Sequence, residues 1–170
     1  RTGALLATSL QGKGLFAGHE WNVGISGAFA AEPAERLLAD ADFVLRVGAE
    51  LGYYTTEGGL MYPSAEVARI DIRPIPEEIG VIPGLYVQAD AKKAVAAINE
   101  ALEARQVRKT GLRTPETRAV LDAPPATFTP PTDGLDPRPL AWQLGAAVPK
   151  GALVTCGAGH FFSWFAMYMP

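Results

Sequence analysis

The sequence lacks most of the residue patterns that serve metal, redox or nucleic-acid chemistry. Its one cysteine, Cys156, excludes an internal disulfide and agrees with a reducing cytoplasm. The two histidines, His19 and His160, have no carboxylates spaced to complete a zinc site with them. A net charge of −3 gives no reason to expect a nucleic-acid partner, whose electrostatic signature is a clustered basic surface. The longest apolar runs, such as Gly24 to Ala31, fall far short of the roughly 18 to 20 residues that cross a bilayer, so no membrane partner is expected. Nor does a basic start followed by an apolar stretch mark a signal peptide. Gly12-Lys13-Gly14 lacks the spacing and the Ser/Thr of a P-loop, and no Gly-x-Gly-x-x-Gly fingerprint is present. Gly24-Ile25-Ser26-Gly27 does not match a hydrolase elbow.

What remains is the composition of a folded globular protein, 48% hydrophobic and 19% charged over 170 residues, enough for one domain or one domain with an appendage. Four apolar runs of strand length punctuate the first half: Ala4 to Thr8, Phe43 to Val47, Val67 to Ile72 and Leu85 to Gln88. Their mostly continuous apolar character predicts strands buried on both faces of a parallel sheet. Helices are predicted at Pro33 to Ala41, with proline in the first turn, and at Ala91 to Arg105. In the latter, Ala94, Val95, Ile98, Ala101 and Leu102 form one apolar stripe. The alternation predicts an α/β fold with a parallel sheet flanked by helices. From 106 the texture turns polar and basic, and Asp122 to Pro139 carries six prolines, which predicts an extended linker. Beyond it, Leu140 to Val148 reads as a helix and Ala152 to Thr155 as a strand entering a new unit.

Candidate site residues sit where strands end. Lys13 between glycines can approach a phosphate, although an exposed lysine in a turn is the commoner meaning of such a pattern. Asp71 ends a strand, where an acid can accept hydrogen bonds from a ribose or serve structure alone. Asp90 ends the next strand and reads first as a helix N-cap. Cys156-Gly157-Ala158-Gly159-His160 is a glycine-rich turn after a strand, suited to backbone contact with a phosphate or to a plain structural turn. A cysteine nucleophile has no supporting third residue.

The order of these segments resembles the central domain of thiamine diphosphate-dependent enzymes of the acetolactate synthase and benzoylformate decarboxylase kind. Ala7-Thr8-Ser9-Leu10-Gln11-Gly12-Lys13-Gly14, His19 and Gly24-Ile25-Ser26-Gly27 are similar to that domain's strand, Gly-Lys-Gly turn and glycine-rich helix start. Ala39 to Ala49, Ile70 to Pro74 and Val87 to Ala91 resemble the three strand segments that follow, and Val154 to Phe162 with Trp164 and Tyr168 the opening of the cofactor-binding domain.

The resemblance implies a Rossmann-like central domain over 1–105 lacking its first strand, a linker over 106–139, and the start of a diphosphate-binding domain over 140–170. It implies thiamine diphosphate and magnesium as cofactors of an intact parent that decarboxylates or ligates 2-keto acids. Gly157, Ala158, Gly159 and His160 then become the candidates for contacting the diphosphate, while no catalytic residue and no metal ligand is assigned in this stretch. Flavin-binding relatives carry an arginine where Glu50 stands, so FAD is not expected. Asp71 leaves room for ADP, as in some decarboxylase relatives. The start at Arg1 and the aromatic close at Phe161 to Pro170 read as cuts in a longer polypeptide. The piece is expected to be inactive alone and, with sheet edge exposed, to form a homo-oligomer. The rival readings are an ADP- or dinucleotide-binding module built on Lys13 and Asp71, and an inert domain that serves subunit packing.

Overall fold

A computed structural model describes residues 1–50, 52–74, 83–123 and 132–169. The chain divides into two compact units, Arg1–Asp122 and Ala123–Pro170. The fold is α/β, with parallel strands and flanking helices.

In the first unit β1 (Leu6–Thr8) pairs in parallel with β2 (Asn22–Ile25), and β3 (Phe43–Val47), β4 (Glu66–Asp71) and β5 (Leu85–Gln88) form a second parallel sheet in that order. Four of these strands stand where the apolar runs predict them. β2 was not anticipated: Gly24 and Gly27 read as a helix start, yet Val23 and Ile25 are buried at alternate positions of a strand. Two helices cross over between strands. α1 (Glu32–Ala39) has Pro33 in its first turn and buries Ala34, Leu37 and Leu38, an i, i+3, i+4 stripe. These join Val23, Ala30, Ala41, Met61 and Tyr62 in the main core, with α2 (Tyr53–Thr56) in the loop that follows β3.

Helix α3 (Ala91–Ala104) begins where Asp90 accepts a hydrogen bond from the Lys93 N–H at 3.0 Å, so the sequence-predicted N-cap is present. Removing that acceptor strands an amide of the first turn. Asp90→Ala is expected to cost about 1 kcal/mol, read as a lower urea midpoint with unchanged slope.

Three expectations are corrected. Residues 106–122, within the stretch that reads as a linker, carry α4 (Pro115–Asp122), which packs on α1. Leu112, Val120 and Leu121 lie against the main core, and the apolar spacing within this polar stretch supplies the reason. The strands were expected to be buried on both faces, and only β4 meets that: Phe43, Leu45 and Val47 of β3 are 53%, 43% and 37% exposed. The strand expected at Ala152 to Thr155 is absent, and those residues are irregular and exposed. No other strand exists among the described residues of the second unit, and a parallel strand without a partner leaves its backbone to water. That unit instead packs α5 (Pro137–Ala147) against α6 (His160–Tyr168), burying Ala141 and Ala166. The paired prolines at 124–125 and 130–131 lie outside the described residues.

Candidate functional site

The second sheet carries its chemistry on one face. Arg69, Asp71 and Arg73 follow a two-residue spacing, which places them on the same side of an extended chain. The ladder sets Arg46, Arg69 and Tyr86 in one row across the three strands. Both arginines are buried, Arg69 completely, and each guanidinium lies 5.6 Å from a tyrosine ring, Arg46 over Tyr62 and Arg69 over Tyr86. Two like charges in one row are tolerated because each has compensating partners. Arg46 donates to the backbone carbonyls of Glu50 and Thr55, which fixes the loop after β3. Burial lowers the pKa of Arg46, opposed by Tyr62.

Asp71 is the hub of this face. Its Oδ1 accepts the Arg73 backbone N–H at 3.0 Å and the Arg73 Nε at 3.2 Å. Oδ2 accepts Arg69 Nη2 at 2.8 Å and Arg73 Nη2 at 3.2 Å. The Arg73 guanidinium, ahead of the others, holds the carboxyl of Asp71 far below the usual carboxylate range. Arg73 also reaches Glu50 at 3.0 Å, and these two carboxylates raise its pKa. Tyr86 and Gln88 of β5 donate to the carbonyls of Arg73 and Ile72, so the chain leaving β4 is held from both sides.

These residues border a cleft of about 360 Å³ at the carboxyl ends of the three strands, lined by Gly48, Asp71, Ile72, Arg73, Ala89 and Asp90 among others. Open α/β sheets bind ligands at this end. The electrostatics here do not suit an anion: two lining carboxylates, Asp71 and Asp90, face one guanidinium, Arg73, already engaged by acids. Nor does Asp71 offer a free acceptor to a ribose, since four donors already occupy its oxygens. Lys13, the other nucleotide candidate, is exposed in the turn after β1 and does not line this cleft.

In the second unit, Gly157, Ala158, Gly159 and His160 are exposed and lead into α6, with Gly159 as N-cap and His160 as the first helical residue. No side chain caps this helix, and nothing lies within 4 Å of where a Cβ would stand on Gly157 or Gly159. Backbone amides at an uncapped helix start, open to close approach, fit a phosphate group in kind. No cluster of His, Cys, Asp or Glu able to hold a metal ion occurs among the described residues. No helix among them is long and apolar enough to cross a membrane.

A sequence model of the thiamine pyrophosphate enzyme central domain matches residues 1–98, more than half of the chain. The chain belongs to the thiamine pyrophosphate enzymes. Along its full length it is 26% identical to a Mycobacterium tuberculosis protein that carries the name acetolactate synthase large subunit IlvB2, and it spans 31% of that relative's length. Membership assigns thiamine diphosphate to the family's chemistry and residues 1–98 to the family's central domain. The ion network Glu50, Arg69, Asp71 and Arg73 with Arg46 and Tyr62 matches no sequence motif. The signal was there, in arginines punctuating otherwise apolar strands at a two-residue spacing.

Proposed function

We propose that this chain is part of a thiamine diphosphate-dependent 2-keto acid decarboxylase or carboligase of the acetolactate synthase kind. In this reading Arg1–Asp122 is scaffold, and the turn Gly157 to His160 forms one edge of the diphosphate site. The observation that carries the assignment of the turn is the uncapped, glycine-flanked start of α6. When bound, the cofactor supplies the carbanion-stabilising chemistry, and the protein supplies orientation and electrostatics. The backbone amides of His160 and its neighbours would receive the diphosphate charge, and magnesium would take its ligands from outside the described residues.

Residues 1–170 alone are expected to release no carbon dioxide from pyruvate with thiamine diphosphate and magnesium. In a longer, active polypeptide, Gly159→Ala places a methyl where the diphosphate approaches and also strains a backbone at φ +142°. That variant should raise the cofactor concentration for half-saturation by about tenfold, equivalent to about 1.4 kcal/mol. Carbon dioxide release by residues 1–170 would overturn the assignment of inactivity, and unchanged cofactor saturation in Gly159→Ala the assignment of the turn. Saturable ADP binding at micromolar levels would instead favour a nucleotide site at the Asp71 cleft.

A further inference from the structure

Asp133 and Gly134 form the one Asp-Gly pair in the sequence. They lie in the second unit, ahead of the Asp136 that caps α5, and both are exposed in a stretch without helix or strand. Neither the Asp133 carboxylate nor the Gly134 N–H has a hydrogen bond or ion pair among the described residues. Gly134 stands at φ +92°, and nothing lies within 4 Å of where a Cβ would be. An aspartyl carboxyl beside an uncommitted glycine nitrogen is a reactive pair, because a five-membered ring closes between them with no side chain in the way.

The other six aspartates of the sequence are withheld from this reaction by what they hold or what they precede. Asp71 is fixed by Arg69 and Arg73, and Asp90 by the Lys93 amide. Asp122 is held by Arg118 through both oxygens. Asp136 is held by Arg138 and precedes Pro137, whose nitrogen carries no hydrogen. Asp40 and Asp42 precede Ala41 and Phe43, whose side chains crowd the attacking nitrogen, and the Ala41 N–H is already bonded to the Leu38 carbonyl.

We propose that Asp133 is a site of spontaneous isomerisation to isoaspartate, which makes the chain a substrate for enzymes that methylate isoaspartyl carboxylates. The Gly134 nitrogen attacks Cγ of the protonated Asp133 carboxyl. The new C–N bond replaces the C–OH bond, and the hydroxyl leaves with the amide proton as water. Water then adds to one of the two carbonyls of the cyclic imide. Opening at the side-chain carbonyl restores aspartate, whereas opening at the main-chain carbonyl routes the chain through Cβ and Cγ and frees the α-carboxylate. No oxidant or cofactor enters, and the composition of the chain is unchanged. The product has one more carbon in its backbone and keeps its charge in solvent, so α5 with its Asp136 cap persists. The inference does not depend on the reading of the Gly157 to His160 turn.

The test incubates residues 1–170 for several weeks near neutral pH and physiological temperature, beside the synthetic peptide acetyl-Pro-Thr-Asp-Gly-Leu-amide. Electron-transfer fragmentation of digests distinguishes isoaspartate from aspartate at 133. Methyl transfer from S-adenosylmethionine by an isoaspartate-specific carboxyl methyltransferase measures the freed α-carboxylates. The isomer should accumulate at 133 at a rate within about threefold of the free peptide, as expected for an unrestrained exposed loop, with methyl incorporation rising in step. Gly134→Ala should slow both readouts by about tenfold, equivalent to about 1.4 kcal/mol on the barrier. Asp133→Glu should abolish the methyl incorporation, because its ring would need six members. The proposal is overturned if the peptide isomerises while Asp133 in the chain does not, if Asp133→Glu leaves methyl incorporation unchanged, or if the isomer accumulates equally at other aspartates.

Discussion

Asp71→Asn is expected to destabilise the first unit by about 3 kcal/mol at neutral pH, the lower end of the cost of breaking a buried ion pair. The size follows from Arg69, which is fully buried, 2.8 Å from Asp71, and cannot shed its charge by deprotonation at any ordinary pH. Asparagine keeps the shape but removes the charge that compensates Arg69, and it turns an amide toward guanidinium donors. The pH dependence has a definite sign. The carboxyl of Asp71 is depressed in the folded chain, chiefly by Arg73, relative to an unfolded value of about 3.9. Its contribution is therefore complete above the unfolded value and is lost as pH falls through the lower native one. Urea midpoints of the parent and of Asp71→Asn should stay separated from about pH 5 upward and converge in stronger acid. Parallel profiles down to pH 2 would show that the ion pair does not govern this dependence. Arg73→Gln offers a milder comparison, since that side chain is half exposed and Arg69 still pairs with the buried Asp71 when it is lost.

Gly27→Ala should cost about 2–4 kcal/mol, combining backbone strain with a clash that cannot relax. Gly27 has φ +98°, and a Cβ there would stand 2.0 Å from the Tyr54 carbonyl oxygen. That oxygen accepts the Ala28 N–H at 3.0 Å, so moving it away breaks a bond that ties the end of β2 to the loop after β3. The adjacent Ser26 hydrogen bonds, to Thr55 and to Tyr62, would be disturbed with it. Gly14 is the control. Its φ of +93° is similar, but nothing lies within 4 Å of the would-be methyl, so Gly14→Ala should cost only the conformational part, about 1 kcal/mol. Equal losses in the two variants would show that the close approach at Gly27 contributes nothing.

The parts of the fold that were legible in the sequence rest on local rules. β3, β5, α3 and its Asp90 cap stand within a residue of their predicted places, because strand-length apolar runs and N-cap chemistry act over a few neighbours. β2 escaped because glycines at 24 and 27 interrupt its apolar pattern, and glycine serves both helix starts and close backbone approach. Helix α4 escaped because its few apolar residues sit among charges.

For the site, local sequence marked Asp71 and the Gly157 to His160 turn as positions of interest and left their roles open. Sequence by itself determined the α/β class, the places of β1, β3, β4 and β5 and the family, all of which follow from runs and motifs read in succession. Tertiary structure alone decided that Asp71 serves arginines, since its partners act through geometry at a strand end. It alone separated the strands into two sheets with open edges at β1 and β3. The physical reason is common to both: pairing between strands and between charges is set by distances across the fold, which spacing along the chain does not fix.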